Sequence, residues 1–166
     1  MSGDPKPINI SSMAEEEIGR AMSNFAAAPF TLDGRRYASV ESFYVGLKFP
    51  DEESRAKAAA MSGPAAYSFG KSGTLKETDY AGRRFALGGP EHHALIARAI
   101  RAKLAAHPDL ARDFASTHPR PIVHDTGTPE RPGTFMPASA LCRILTEIRD
   151  ELVQRFSESP PHPRRA

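Results

Sequence analysis

The segment from Pro29 to Phe49, PFTLDGRRYASVESFYVGLKF, contains two clear local folding signals. Asp33-Gly34 separates two short strand-like runs and predicts a hairpin, because a type I′ turn needs positive φ at both central positions. Ser39 is placed to cap a helix through its hydroxyl group. The apolar residues that follow recur at the helical spacing i, i+3, i+4 and i+7, and are Val40, Phe43, Tyr44 and Leu47. The segment therefore predicts a hairpin followed by a short helix.

This short helix also carries two charged residues, Glu41 and Lys48, among apolar neighbours. Together with Val45 they fall on one stripe beside the apolar face. In one interpretation Glu41 complements the helix dipole and Lys48 extends to water at the helix end. In the other, both groups are partly desolvated, which raises the pKa of the carboxyl toward values useful for proton transfer and makes the amine nucleophilic. Spacing alone does not separate these interpretations.

The rest of the chain predicts a helix-rich α+β fold in a single domain, with a small N-terminal β element or hairpin and about six helices. We expect a short strand at 8–11 and further helices at 51–61, 63–70, 90–106, 108–114 and 138–156. A glycine-rich stretch, 72–89, and a proline-rich stretch, 118–137, are predicted to be irregular, and such long loops are usually functional or disordered. Residues 1–7 and the proline-rich tail 157–166 are predicted to be disordered, leaving residues 8–156 as the domain.

Composition limits the classes of function. The chain has 166 residues and a net charge of only +2, which argues against a protein that coats nucleic acid by charge alone. The single cysteine, Cys142, excludes an intramolecular disulfide and suits a reducing compartment. The N-terminus lacks the apolar core of a secretory signal, and no apolar run approaches about 18 residues. We therefore expect a cytoplasmic protein without a membrane partner. The sequence does not determine the oligomeric state, for which a monomer is our expectation.

Several other residues could bind a ligand. In Ser23-Asn24-Phe25, the amide of Asn24 could close a turn or contact a base or ribose edge. The glycine-rich stretch carries basic residues interleaved with aromatic ones, as expected for a phosphate- and base-binding loop or for an ordinary solvated loop. These residues are Lys71, Lys76, Tyr80, Arg83, Arg84 and Phe85.

Metal and cofactor chemistry is poorly supported by the sequence. His92 and His93 are adjacent and would point to different faces of a helix, and no Cys/His cluster has ligand spacing. His124-Asp125 could supply one acid–base group or be structural. The phosphate-binding and dinucleotide-binding glycine motifs and the GxSxG nucleophile motif are absent. We expect no metal and no organic cofactor.

Taken in order, these features resemble the NADAR family, the YbiA-like N-glycosidases, over roughly residues 8–156. The matching segments are Ser23-Asn24-Phe25, Pro29-Phe30, Asp33-Gly34, Ser39-Val40-Glu41, Lys48-Phe49, Gly70-Lys71, Ile100–Leu104 with Pro108 and Leu110, and Ile144–Arg149. The resemblance implies an enzyme that cleaves N-glycosidic bonds of ribose-containing nucleotides. Activities known in the family are hydrolysis of ribosylamino-pyrimidine intermediates of the riboflavin pathway and removal of ADP-ribose from guanine.

Carried onto this chain, the resemblance makes Glu41 the essential carboxylate and Lys48 the amine that forms a Schiff base with the opened ribose. It implies a nucleotide or an ADP-ribose-conjugated small molecule as substrate, or ADP-ribosylated nucleic acid. The residues expected to bind the substrate are Ser23, Asn24, Phe25, Gly70, Lys71, Tyr80, Asp125 and Phe135.

The chain departs from the family pattern at its aromatic positions. The chain has no tryptophan, and Asp79-Tyr80 stands where the family usually has a tryptophan after an aspartate. Ser139 and Cys142 stand where the family has asparagine and glycine. Tyr80 and Phe135 are the aromatic residues left to stack on a base. A non-catalytic module that binds ADP-ribose or a nucleotide is therefore the alternative function. A third possibility is an interaction protein that uses the tail PPHPRR as a recognition segment.

Overall fold

A computed structural model describes residues 3–159 of the chain. Residues 1–2 and 160–166, including most of the proline-rich tail, lie outside the described residues. Residues 3–7 are exposed and form neither helix nor strand. In chain order the elements are β1 (Ile8–Asn9), α1 (Glu17–Met22), β2 (Phe30–Leu32), β3 (Arg35–Tyr37), α2 (Val40–Gly46), α3 (Glu52–Ala59), α4 (Gly63–Gly70), β4 (Glu77–Tyr80), β5 (Arg83–Ala86), α5 (Pro90–Ala106), α6 (Pro108–Ala115), β6 (Ile122–Val123) and α7 (Ala138–Glu158).

The architecture is α+β and helix-rich, as predicted. The described part of the chain contains seven helices and three two-stranded sheets. The apolar faces of α2, α5 and α7 meet in the main hydrophobic core, which includes Phe43, Ile96, Ile100, Leu145 and Ile148. A smaller cluster lies where α2 packs on α3 and α4, around Val45 and Ala66. The side chains on the two sides of α2 are therefore held by different neighbours.

The hairpin and the start of α2 form where the local sequence predicts them. Asp33 and Gly34 have φ values of 48° and 82°, and β2 pairs with β3 in antiparallel fashion with Phe30 opposite Tyr37. The Ser39 hydroxyl accepts a hydrogen bond from the Ser42 N–H at 3.1 Å, and the Ser42 hydroxyl accepts one from the Ser39 N–H at 2.8 Å. This reciprocal cap fixes the first turn of α2, which contains Glu41.

Three local features were missed in the sequence analysis. The glycine-rich stretch contains the antiparallel hairpin β4–β5, whose turn at Ala81-Gly82 has φ values of 49° and 76°. Alanine rarely adopts positive φ, so the dipeptide is a poor sequence signal for this turn. The short helix α1 was not predicted. The proline-rich stretch contains β6, which pairs in parallel with β1, with Ile8 opposite Ile122, and such distant pairing has no local signature.

Some element limits also differ from those predicted. The N-terminal strand ends at Asn9, although the Ile10 N–H still donates to the Val123 carbonyl at 2.9 Å. The last helix continues to Glu158, two residues beyond its predicted end. Between residues 3 and 159, no helix has the length and apolar character needed to cross a membrane.

Candidate active site

The two faces of α2 contact different surroundings. With 3.6 residues per turn, Phe43 and Glu41 lie on opposite faces of α2. Lys48 follows two residues after the end of the helix, on the side of Glu41, since the charges of Glu41 and Lys48 act on each other. The Phe43 face borders a groove of about 450 Å³ between the hairpins β2–β3 and β4–β5. On the other side of α2, Val45 packs against Gly70 of α4, Tyr44 contacts His92 of α5, and the Glu41 N–H donates to the Asn24 carbonyl. Glu41 and Lys48 are thus brought to one side of the helix, as their spacing predicts.

Glu41 is buried, with 7% of its surface exposed. Its carboxyl group makes no hydrogen bond to another residue between 3 and 159. Burial raises the pKa of Glu41 to about 7, and the nearby positive charge of Lys48 acts in the opposite direction. A carboxyl group with such a pKa is present in both protonation states near neutral pH, so it can donate a proton and later accept one.

The burial of Glu41 predicts how a substitution changes stability with pH. The pKa is about 7 in the fold and 4.5 ordinarily, so the folded state holds the proton more tightly. The resulting stabilisation is complete below pH 4.5 and is lost as pH rises through 7. Because glutamine does not titrate, Glu41→Gln should gain stability relative to wild type between about pH 5 and pH 8, by up to about 3 kcal/mol.

Urea unfolding at those two pH values measures this difference. Glu53→Gln is the matched control, because Glu53 is exposed and also lies in the first turn of a helix. Its difference from wild type should not vary with pH in this way. If the free energy of unfolding of Glu41→Gln relative to wild type is also the same at both pH values, Glu41 keeps an ordinary pKa in the folded protein.

Lys48 is half-buried at the other end of the same stripe. Its Nζ lies 5.0 Å from the centroid of the Tyr44 ring, at cation–π distance. Burial lowers the pKa of Lys48, the charge of Arg131 lowers it further, and the charge of Glu41 raises it. Gly73 packs against its stem, because a Cβ atom added there would lie 2.6 Å from the Lys48 Cβ. The amine is therefore confined and more easily deprotonated than a lysine at the surface.

An aromatic wall lies beside this pair. The ring centroid of His92 is 5.5 Å from that of Tyr44 and 6.5 Å from that of Phe135. The Gly88 N–H donates to His92 Nδ1 at 2.9 Å, which places the proton of the neutral ring on Nε2. Burial lowers the pKa of His92 to about 4, with smaller contributions from the charges of His93 and Lys48. His92 is therefore neutral at physiological pH, and the wall includes Phe135, one of the predicted binding residues.

The predicted Ser23-Asn24-Phe25 segment forms a turn directly against the first turn of α2. The Asn24 carbonyl accepts a hydrogen bond from the Glu41 N–H at 2.9 Å. The Ser23 hydroxyl accepts one from the Phe25 N–H at 3.2 Å, which closes the turn. The Phe25 ring pairs with that of Tyr67 on α4, with centroids 5.7 Å apart. We call residues 23–25 the Ser-Asn-Phe turn.

Gly63, at the start of α4, allows close contact with this turn and carries a prediction. A Cβ atom at Gly63 would lie 2.4 Å from the Phe25 carbonyl oxygen. This oxygen belongs to the backbone, so it cannot move aside as the end of a flexible side chain could. Gly63→Ala should therefore destabilise the fold by about 1–3 kcal/mol, measured by urea unfolding. Ala65→Ser, at an exposed position of the same helix, should change stability by less than about 0.5 kcal/mol. Equal stability of the two variants would contradict the close contact.

Two further cations surround the exposed ring of Tyr67. The Lys71 Nζ lies 5.3 Å, and the Arg131 Cζ 5.9 Å, from its centroid. Neither forms an ion pair with another residue between 3 and 159. Gly70, next to Lys71, lets α4 approach α2, since a Cβ atom there would lie 2.8 Å from a Val45 methyl group. Gly70 is therefore close to Val45 of α2, and Lys71 and Arg131 place two positive charges around the Tyr67 ring.

Two predicted binding residues are placed elsewhere. Tyr80 contacts the edge of the Phe43 ring on the opposite face of α2, and its hydroxyl donates to Asp33 Oδ2 at 2.5 Å. Asp125 exchanges two hydrogen bonds with Asn9, each of 2.9 Å, and borders a second groove, of about 410 Å³, near β1. The structure does not bring either residue together with Glu41 and Lys48.

Some residues of the cluster were not predicted to belong to the site. Tyr67 lies four residues before Lys71 on α4, a spacing that places them on one side of the helix and could have identified it. His92 was considered only as a metal ligand, and Tyr44 only as a core residue. Arg131 lies in an irregular loop and has no local sequence signal. Among residues 3–159, no group of three His, Cys, Asp or Glu side chains could hold a metal ion.

The fold and this site define a small α+β domain in which a buried acid of α2 lies near a confined amine that follows the same helix. The chain belongs to the Bacteriophage protein GP30.3 family, whose model matches residues 17–150. It is also similar to the NMR structure of the E. coli protein YbiA, with a TM-score of 0.69 and 23% identity over 95% of this chain and 92% of that chain. At this identity the likeness shows the fold. No curated protein matches the sequence.

Proposed function

We propose that this protein is an N-glycosyl hydrolase that cleaves a ribose–base bond in a nucleotide or an ADP-ribose conjugate. The observation that carries the proposal is the buried carboxyl of Glu41, with its pKa raised to about 7, close enough to the confined amine of Lys48 for each charge to act on the other. The resemblance to the NADAR family and the fold shared with YbiA support it. The proposed substrates are ADP-ribosylated guanine and ribosylamino-pyrimidine phosphates.

In the first half of the proposed reaction the base departs. Protonated Glu41 donates its proton to the nitrogen of the leaving base, which takes the electron pair of the breaking C1′–N bond. The neutral amine of Lys48 attacks C1′ and forms a C1′–Nζ bond. The ribose ring then opens: one proton moves from the positively charged Nζ to the ring oxygen, the bond between C1′ and the ring oxygen breaks, and the Nζ electron pair forms a protonated Schiff base with C1′.

In the second half, water releases the sugar. Glu41, now a carboxylate, accepts a proton from the water molecule that adds to C1′ of the Schiff base. The proton of the new C1′ hydroxyl then moves to Nζ, the C1′–Nζ bond breaks as the carbonyl forms, the amine of Lys48 is regenerated, and the aldehyde of ribose closes again to its ring form. The net reaction consumes one water molecule and needs neither metal nor organic cofactor.

The surrounding side chains suit the other parts of such a substrate. Phe25, Tyr67 and Phe135 offer aromatic faces on which a base can stack. Lys71 and Arg131 supply positive charge for phosphate oxygens, and Arg131 can bind two oxygens at once. In this proposal Ser23, Asn24 and Gly70 shape the pocket through their backbone. The protein is further proposed to act as a cytoplasmic monomer.

Product analysis by liquid chromatography and mass spectrometry tests the proposal. The wild-type protein is incubated with ADP-ribosylated guanosine, ADP-ribosylated single-stranded DNA, NAD and ribosylamino-pyrimidine phosphates. Release of a free base or amine from one of them is the expected result and identifies the substrate class. Absence of any released base from every substrate would contradict the proposed reaction.

A non-catalytic module that binds ADP-ribose or a nucleotide is the second candidate. The absence of tryptophan and the placement of Tyr80 away from Glu41 favour it, because both reduce the aromatic surface at the site. A rise in melting temperature with ADP-ribose, without any product, would support this module. Turnover of any substrate in the panel would exclude it.

A further inference from the structure

Lys103 on α5 is a buried lysine whose role the proposed reaction does not explain. Only 1% of its surface is exposed. Its Nζ donates hydrogen bonds to two carbonyl oxygens, that of Ala21 at 2.8 Å and that of Ser23 at 3.0 Å. No carboxylate between residues 3 and 159 pairs with it. Burying a cation without a paired anion costs free energy, so the presence of a lysine at this position needs an explanation.

The position of the two carbonyls supplies one. Helix α1 ends at Met22, and the last carbonyl groups of a helix lack partners within the helix and carry partial negative charge. Lys103 therefore caps the carboxyl end of α1 from another helix. Burial lowers the pKa of Lys103 to about 7. Hydrogen bonds to carbonyl oxygens, such as the two that Lys103 makes, favour the charged form of an amine. Both contacts can persist in either state, because a neutral amine still has two N–H donors.

The contact continues through the Ser-Asn-Phe turn to Glu41. Lys103 holds the carbonyl of Ser23, and the next carbonyl, of Asn24, accepts the hydrogen bond from the Glu41 N–H at 2.9 Å. The turn is closed by the Ser23 hydroxyl and is packed against Gly63. A displacement of Ser23 would therefore move Asn24 and, through its hydrogen bond, the backbone of Glu41 in the first turn of α2.

We propose that Lys103 is a positioning residue for Glu41, because it ties the Ser-Asn-Phe turn to α5 and so keeps the Glu41 carboxyl buried at the site. The catalytic meaning of this link rests on the proposed function. The link itself is a property of the folded protein and can be measured without substrate.

Lys103→Met in the full-length protein tests the link. Methionine keeps the apolar stem and removes both donors. The measurement is the pKa of Glu41, followed by NMR in protein labelled with ¹³C at the glutamate side chains, with Glu41→Gln identifying the resonance. We expect a folded protein of lower melting temperature in which the pKa of Glu41 falls from about 7 toward 4.5, by about one unit or more. A purely structural role would lower the melting temperature alone, and an unchanged pKa would overturn the proposal.

Arg149→Met is the matched control. Arg149 on α7 is also buried, with 3% exposed, and donates to the Thr117 hydroxyl at 3.1 Å, away from the Ser-Asn-Phe turn. Arg149→Met should be less stable than wild type but should leave the pKa of Glu41 unchanged. If the pKa of Glu41 changes equally in Lys103→Met and Arg149→Met, the proposal is overturned. If Lys103→Met does not fold, Lys103→Leu is the second variant, because it also removes both donors and keeps an apolar side chain. An unchanged pKa of Glu41 in that variant would likewise overturn it.

The test separates this proposal from the proposed function. A lower pKa of Glu41 in Lys103→Met, together with an inactive wild-type protein, would support the link and contradict only the reaction. With an active wild-type protein, Lys103→Met should lower kcat more than it changes KM, because the misplaced group acts in the chemical step. A change in KM alone would contradict the positioning of Glu41.

Discussion

Glu41→Gln is expected to lower kcat for base release by about 10²–10⁴-fold while the protein stays folded. Glutamine has nearly the same size as glutamate, so packing around residue 41 is kept. It has no acidic proton, so the departing nitrogen leaves without its proton donor. Steady-state product formation, measured with the best substrate of the panel, gives kcat for wild type and variant.

The pH dependence of the same measurement distinguishes a proton donor from a residue that only shapes the pocket. In wild type, one limb of the kcat/KM profile should lie near pH 7, because kcat/KM reports the free enzyme, in which the pKa of Glu41 is about 7. That limb should be absent from the residual activity of Glu41→Gln. Glu53→Gln, at an exposed position of α3, should match wild type throughout. A Glu41→Gln variant within about twofold of the wild-type rate would refute the role of Glu41.

Lys48→Met should reduce kcat by about 10³-fold or more, because the variant lacks the amine that bonds to C1′. Reduction with borohydride during turnover should trap the Schiff base in the wild-type protein. Intact mass spectrometry should then show an added sugar, and peptide mapping should place it on Lys48. Lys48→Met should show no adduct.

Lys57→Met is the control for this experiment. Lys57 is exposed on α3, so its replacement should leave both kcat and the adduct unchanged. An adduct mapped to another lysine, or a fully active Lys48→Met, would show that the amine of Lys48 is not the nucleophile. If wild type releases base without forming any adduct, and the kcat of Lys48→Met is still low, Lys48 has an electrostatic role instead.

The parts of this site that follow local rules could be predicted from the sequence. Asp33-Gly34 specifies its hairpin through the positive φ of the turn, and Ser39 specifies the start of α2 through its hydroxyl. The helical period then places Glu41 and Lys48 on one face. Whether that face is buried depends on which segments pack against it, and the helical repeat does not determine those segments.

The features that sequence reasoning missed depend on contacts between distant segments. Tyr80 is directed to the opposite face of α2 because it lies on the unexpected hairpin β4–β5 and bonds to Asp33. Arg131 reaches Tyr67 from an irregular loop. Lys103 looks like an ordinary basic residue of an amphipathic helix, and its contact with Ser23 joins residues 80 apart in the chain. No local pattern reports such contacts.

The most direct test of the central claim, that Glu41 and Lys48 form an N-glycosidase site, is a single-turnover measurement with enzyme in excess over substrate. Free base is quantified by mass spectrometry after mixing with wild type, Glu41→Gln, Lys48→Met or Glu53→Gln. The account predicts rapid release by wild type and Glu53→Gln and almost none by the other two. Equal release by all four proteins, or release by none, would contradict it.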